Sequence, residues 1–196
     1  MLVVLDYGMG NLKSVVRALE HVGAQPTIQH DLRGATKVVL PGVGAFAAAM
    51  ERLKTVQGDL RAFVETDQPL LGICLGQQLL FEASDEHGGA GGLGFLGGHV
   101  RYLPVSPSIK VPHVGWNELN PRQTTGLGAT TLRGDQVYFV HSLYCDPTDS
   151  EVVAATSHHG IEFAASVQRR NLWGTQFHPE KSGEVGLRMI KAFVEC

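Results

Sequence analysis

The sequence predicts an α/β fold with a central, mostly parallel sheet, an antiparallel extension and flanking helices. Three observations carry this. Short β-branched runs alternate with amphipathic helical stretches through the first half, several strand ends run into glycine-rich turns, and the second half is strand after strand with little helix.

Leu2-Val3-Val4-Leu5 is a buried-strand pattern, and Asp6-Tyr7-Gly8-Met9-Gly10 turns the chain. Leu12, Val15, Val16 and Leu19 then recur at i, i+3, i+4 and i+7, which predicts a helix, with Gly23 placed to stop it. Pro26-Thr27-Ile28 and Val38-Val39-Leu40 are two further strands, the second ending in Pro41-Gly42-Val43-Gly44. Helices are expected over Ala45–Leu53 and Leu60–Glu65, a strand over Pro69–Ile73, and a helix over Leu75–Ala83. This alternation implies right-handed crossovers with helices on both faces, so function should gather at the C-terminal strand ends. Strands follow at Val100–Leu103, Gln136–Val140, Val152–Thr156, Ile161–Val167 and Leu172–Gln176. A last helix from about Gly183 to Glu195 presents Leu187, Ile190 and Val194 on one face. The glycine-rich stretch His87–Gly98 reads as a loop.

With 196 residues, 43% hydrophobic and 18% charged, the chain can bury a full core, and one domain over 1–196 is expected. No repeat or low-complexity run interrupts it. The net charge of −3 and the lack of a basic stripe argue against a nucleic-acid partner, since phosphate binding needs clustered Lys and Arg. MLVVLDYG has no basic lead and breaks at Asp6, so neither a signal peptide nor a membrane span is expected there, and the reading is a cytoplasmic protein. Cys74, Cys145 and Cys196 are odd in number and unrelated in spacing, which fits free thiols rather than a disulfide framework or a zinc ribbon.

Gly72-Ile73-Cys74-Leu75-Gly76 has the form of a nucleophile elbow: a strand enters a sharp turn, a helix leaves it, and small residues on each side let the backbone pass closely. The N–H groups of a helix start favour a thiolate, whereas a cysteine at its free pKa of about 8.5 is only a few per cent ionised at neutral pH. Alone, the motif leaves Cys74 open between buried filler and nucleophile. The strand Leu172–Gln176 ends in Phe177-His178-Pro179-Glu180, where proline stiffens the link between a histidine and a carboxylate. A strand-end cysteine with a strand-end His-x-Glu supplies nucleophile, base and orienting group. A phosphate-binding module built on Gly8-Met9-Gly10 and Gly42-Val43-Gly44 matches neither a dinucleotide fingerprint nor a Walker loop. A metal site from His158, His159 and His178 is opposed by strand geometry, because neighbouring strand residues face opposite ways.

GICLGQ, FHPEKS and PGVGAF together resemble a class I (triad) glutamine amidotransferase. DYGMGNLKSV, PHVGWNEL and VHSLY are similar to one branch, the glutaminase subunit of imidazole glycerol phosphate synthase. The resemblance runs from Leu2 to about Phe193. It implies a flavodoxin-like class I amidotransferase fold, glutamine as substrate, a thioester on Cys74, His178 as base and acid, and Glu180 holding its ring. It also implies oxyanion donors on the backbone of Leu75 and of Val43-Gly44. Glutamine would be held by Gln78 and Glu82, expected one helical turn apart, and by the Ser142-Leu143 backbone. Neither cofactor nor metal is implied. The implied partner is a (βα)8-barrel synthase that receives ammonia, with Asn11, Trp116, Tyr138 and Lys181 at partner-facing positions. Two departures stand out: Leu143 replaces the usual tyrosine after His-Ser, and Gln77 a common methionine.

Overall fold

The computed structural model describes residues 1–107 and 109–196. The first half builds strands β1 (Leu2–Leu5), β2 (Thr27–Gln29), β3 (Lys37–Gly42) and β4 (Leu70–Cys74), with helices α1 (Leu12–His21), α2 (Phe46–Leu53) and α3 (Gln57–Glu65) between them. A one-turn helix α4 (Leu75–Leu79) follows β4, and then β5 (Phe81–Ser84), β6 (Ala90–Gly91) and β7 (Leu96–Tyr102). The second half continues with β8 (His113–Glu118), β9 (Asn120–Pro121), the short helix α5 (Gly126–Ala129), β10 (Gln136–His141), β11 (Leu143–Pro147) and β12 (Val153–His159). It closes with β13 (Ile161–Arg169), β14 (Leu172–Thr175) and helix α6 (Gly183–Glu195).

The main sheet runs β2-β1-β3-β4-β14-β13-β11-β7-β5-β6. From β2 to β14 every pairing is parallel, and from β14 through β13 and β11 to β7 it is antiparallel. β12 joins β13, while β8 and β10 pair antiparallel as a separate ribbon. Strand period 2 divides the core into two layers. Leu5, Val38, Leu40 and Leu70 face α2 and α3 through Phe46, Leu53, Leu60 and Phe63. Val4, Val39, Leu71 and Ile73 face α1 and α6 through Val15, Leu19, Ile190 and Phe193. Each such aliphatic or aromatic side chain contributes about 1.5–3 kcal/mol when wholly buried. The α/β class and the mostly parallel centre agree with the sequence expectation.

Two local expectations are corrected, and one strand is added. The helix expected over Leu75–Ala83 ends at Leu79: the Leu80 N–H closes a tight turn on the Gln77 carbonyl (3.1 Å), and Phe81 then pairs with Leu96 in a parallel ladder. Leu79-Leu80-Phe81 is a short apolar run that periodicity alone cannot assign, and sheet pairing decides it. The presumed loop His87–Gly98 holds β6 and the start of β7, so the strand expected at Val100 begins at Leu96. The His113–Glu118 stretch, quoted above only as a motif, is a strand. Among the described residues no helix is long and apolar enough to cross a membrane.

Candidate active site

Cys74 closes β4 and caps α4 with φ 55° and ψ −110°, a left-handed backbone that a non-glycine residue adopts only where its surroundings enforce it. Two neighbours explain the enforcement. A Cβ on Gly72 would lie 2.6 Å from the Gly76 carbonyl oxygen, and one on Gly76 would lie 1.9 Å from the Leu40 carbonyl oxygen. The glycines therefore let α4 pack onto β3 and β4, and Cys74 takes the strained corner. Since α4 has five residues, its macrodipole is small, and the electrostatic help expected from a helix start reduces to a few first-turn N–H groups.

β14 lies parallel to β4 and delivers Gln176, Phe177 and His178 beside the elbow. His178 Nδ1 pairs with Glu180 Oε1 at 2.8 Å, both side chains almost wholly buried. The backbone is pinned as well: the His178 N–H donates to the Tyr138 carbonyl (2.9 Å), and the Ser182 hydroxyl donates to the His178 carbonyl (2.6 Å). Among the described residues His178 Nε2 has no oxygen or nitrogen partner, and it is left facing the Cys74 sulfur. Burial pulls the imidazole pKa down, but the Cys74 sulfur and the Glu180 carboxylate outweigh it and hold the value at about 9. At neutral pH the imidazole is thus protonated.

A cavity of about 310 Å³ opens over this pair, walled by Val43, Gly44, Cys74, Leu75, Gln78, Glu86, Val140, His141, Ser142, Leu143 and His178. The fold therefore brings together every residue expected at the triad mouth, the oxyanion backbone and the glutamine pocket except Glu82. That residue lies on β5, is exposed, and accepts from the Gly98 N–H at 2.9 Å; it is not a wall of the cavity. The resemblance implied it, one helical turn from Gln78 on a helix expected to run through Ala83. Glu86 is the carboxylate that lines the cavity, with its Oε2 held 2.5 Å from the Phe46 N–H. Gln78 donates to the Leu143 carbonyl (3.3 Å), which also accepts from His141 Nδ1 (2.7 Å), so both of that oxygen's lone pairs are engaged. The departure at Gln77 is accommodated behind the site, where its amide donates to Cys145 Sγ at 3.4 Å. Burial pushes the Cys145 thiol up to about 12, leaving it inert at neutral pH.

Two groups unremarked in the sequence support the walls. The Tyr7 hydroxyl, driven upward in pKa by burial and by Cys74, stays protonated and donates to the Pro41 carbonyl (2.7 Å), steadying the end of β3 that leads into Val43 and Gly44. His141 donates through Nδ1 to a carbonyl, so its Nε2 must accept, and His113 Nδ1–H is the donor at 3.0 Å. His113 Nε2 then accepts from Asn117 (3.2 Å). Burial lowers His141 to about 3 and His113 to about 4, so both rings are neutral. Neither ring therefore sets a second positive charge against His178.

Trp116 and Tyr138 stand opposite each other on the β8–β10 ribbon with ring centroids 6.2 Å apart, and Lys181 Nζ lies 5.9 Å from the Tyr138 ring. With exposed Val114 and Val140 they form an apolar, aromatic face beside the cavity. Trp116 is 56% exposed, against the usual burial of tryptophan. Asn11 is exposed and caps α1, accepting from the Ser14 N–H.

A strained cysteine elbow, a buried His–Glu pair and a small cavity at parallel strand ends define a class. The glutamine amidotransferase class-I family model matches residues 3–196, and the chain belongs to that family. Among its members it falls with imidazole glycerol phosphate synthase subunit HisH: it is 47% identical to that protein of Methanosarcina acetivorans, covering 99% of this chain and 98% of the relative. It is 47% identical to that of Moorella thermoacetica (99% and 94%) and 44% to that of Listeria innocua (100% and 95%). Among solved structures, PurLQS from Thermotoga maritima and a glutamine amidotransferase each superpose with a TM-score of 0.77 at 19% identity, covering 99% of this chain and 97% of theirs, which supports the fold.

Proposed function

We propose that the chain hydrolyses glutamine to glutamate and ammonia. The ammonia passes to a (βα)8-barrel synthase subunit that forms imidazole glycerol phosphate and an aminoimidazole carboxamide ribotide in histidine biosynthesis, the two chains working as a cytoplasmic heterodimer. The observation that carries the hydrolytic half is Cys74 at its elbow, set against a His178 held by Glu180.

In this reading Cys74 Sγ attacks the side-chain amide carbon of glutamine. Charge gathers on the amide oxygen, where the Leu75 N–H and the Val43-Gly44 backbone would meet it. His178 donates its proton to the nitrogen, the C–N bond breaks, and ammonia leaves a glutamyl thioester. His178 then takes a proton from water as the water attacks the thioester, and glutamate departs with the sulfur regenerated. Gln78 and Glu86 offer an amide and a carboxylate to the amino-acid end of the substrate, and the Ser142-Leu143 backbone borders it. Since the Leu143 carbonyl is already engaged, it does not serve as a further acceptor. The Trp116–Tyr138–Lys181 face, with Asn11, is the proposed seat of the barrel. Ammonia released into water at neutral pH would become ammonium, so a seated partner beside the cavity is chemically necessary for transfer.

The test is glutamine hydrolysis by the purified chain, alone and with the barrel subunit and its ribonucleotide. Hydrolysis is expected to be low alone and to rise on adding both, because the oxyanion backbone at Val43-Gly44 completes its alignment on assembly. High activity alone, indifferent to the barrel, would remove the gating, and activation by a chorismate-using partner would move the reaction to another pathway.

His178 also fixes a pH limit. Its folded pKa of about 9 lies above the ordinary 6.5, so the protonated ring stabilises the fold fully below pH 6.5, and that contribution is lost as pH rises through 9. Turnover, which needs this proton for the leaving nitrogen, is expected to fall along the same alkaline limb. Glu180→Gln removes one of the groups holding the proton. Its limb should move about one unit toward neutral, with kcat down roughly tenfold or more. An unchanged limb in a kcat–pH profile would detach Glu180 from His178.

A further inference from the structure

Gln176 is fully buried two residues before His178, and its amide lies between two partners. Gln78 Nε2 donates to its Oε1 at 3.0 Å, and its own Nε2 donates to Cys74 Sγ at 3.7 Å. Which end of a buried amide is nitrogen follows from its neighbours. The chain of reasoning starts at the Leu143 carbonyl, which can only accept. The end of Gln78 that faces it must be the NH2 group. That same NH2 faces Gln176, which must therefore present its oxygen, and the Gln176 NH2 is left aimed at the sulfur. Flipping Gln176 would set two donors against each other on one side and a lone pair against the sulfur on the other.

We propose that Gln176 is a catalytic hydrogen-bond donor to the Cys74 sulfur, held in its donating orientation by Gln78 and the Leu143 carbonyl. This rests on the reading of Cys74 as the nucleophile. The sulfur is then flanked by two donors: His178, which exchanges its proton with the reacting groups, and Gln176, which keeps its own. A donor that cannot be titrated stabilises anionic sulfur before attack and again when the thioester releases it. The chemical steps are otherwise those given above, with no further bond made or broken.

Two variants test it in the complete complex with the barrel subunit. Gln176→Met keeps the length and removes the donor; Gln176→Glu keeps the shape and the oxygen facing Gln78 but turns a carboxylate oxygen toward the sulfur. Iodoacetamide alkylation is followed across pH, with mass spectrometry separating the Cys74 adduct from that at exposed Cys196. The midpoint of the Cys74 curve is expected to move to higher pH, further in Glu than in Met. Alkylation at pH 7 should fall about tenfold, the size of one hydrogen bond to a charged group. Turnover should fall mainly in kcat, with KM within about twofold of wild type. An alkylation curve that overlays wild type while turnover drops would reduce Gln176 to packing and overturn the inference, as would a loss confined to KM. Should a variant fail to fold, the wild-type protein decides: the Gln176 side-chain amide NMR signals should move with pH along the Cys74 alkylation curve, and signals indifferent to it would refute the contact. Glutamine turnover retained by Cys74→Ala would instead sink the reading of the site itself.

Discussion

Cys74→Ala in the complex with the barrel subunit is expected to abolish glutamine-dependent turnover, by about 10³-fold or more, because no other group in the cavity can form the thioester. Among the described residues the other thiols are out of play: Cys145 is buried behind the site with its thiol pushed up to about 12, and Cys196 is exposed after α6 and is not a wall of the cavity. Ring closure by the partner should survive when ammonium salt is supplied at alkaline pH, which separates a dead glutaminase from a broken complex. A companion substitution separates chemistry from stability. Cys74 sits at φ 55°, where a residue with a Cβ is strained and glycine is not. Cys74→Gly should therefore be as inactive as Cys74→Ala yet unfold at a higher temperature, by the equivalent of about 1 kcal/mol. Measurable glutamine turnover in both variants would mean that the elbow holds something other than the nucleophile.

The elbow and the His-x-Glu pair were legible in the sequence because each is local: glycines on both sides of one cysteine, and a histidine tied to a carboxylate through one proline. The parallel half of the sheet was legible for the same reason, since β1, β3 and β4 are short runs buried on both faces. The contents of the cavity were not. Glu82 and Glu86 differ by four residues, and choosing between them required knowing that the chain leaves its helix at Leu79 to pair with β7, a contact that lies about fifteen residues ahead. His113, His141 and Asn117 stand on two strands whose pairing no local pattern announces, so their shared neutral network was hidden although PHVGWNEL and VHSLY had been noticed as motifs. Gln176 was read as the last residue of a strand. Only the three-dimensional order of acceptors, from Leu143 through Gln78, gives its amide a direction.

Gly76→Ala is expected to damage fold and site together. Its Cβ would stand 1.9 Å from the Leu40 carbonyl oxygen and 3.0 Å from the carbonyl carbon, both backbone atoms of a central strand that cannot swing aside. Relief requires α4 to lift off β3. Overpacking of this kind costs about 1–3 kcal/mol in a well-packed interior, and here it falls at the upper end, because the clash is with backbone rather than a flexible side chain. The activity loss should exceed what that destabilisation explains. β3 runs directly into Val43 and Gly44, and α4 begins at Leu75 beside Cys74, so lifting one off the other separates the two halves of the proposed oxyanion site from each other. Such a site loses about 10²-fold in rate when one donor is displaced. Gly58→Ala is the matching control: Gly58 lies in α3 with nothing within 4 Å of its added Cβ, and that change should leave turnover intact and raise stability by about 0.5–1 kcal/mol. Thermal unfolding and kcat, measured on both variants in the complex, should therefore move in opposite directions from wild type for stability and in one direction only for activity. A Gly76→Ala enzyme with wild-type kcat would show that α4 can shift without moving the proposed oxyanion donors, and that the close packing of elbow on strand serves stability alone.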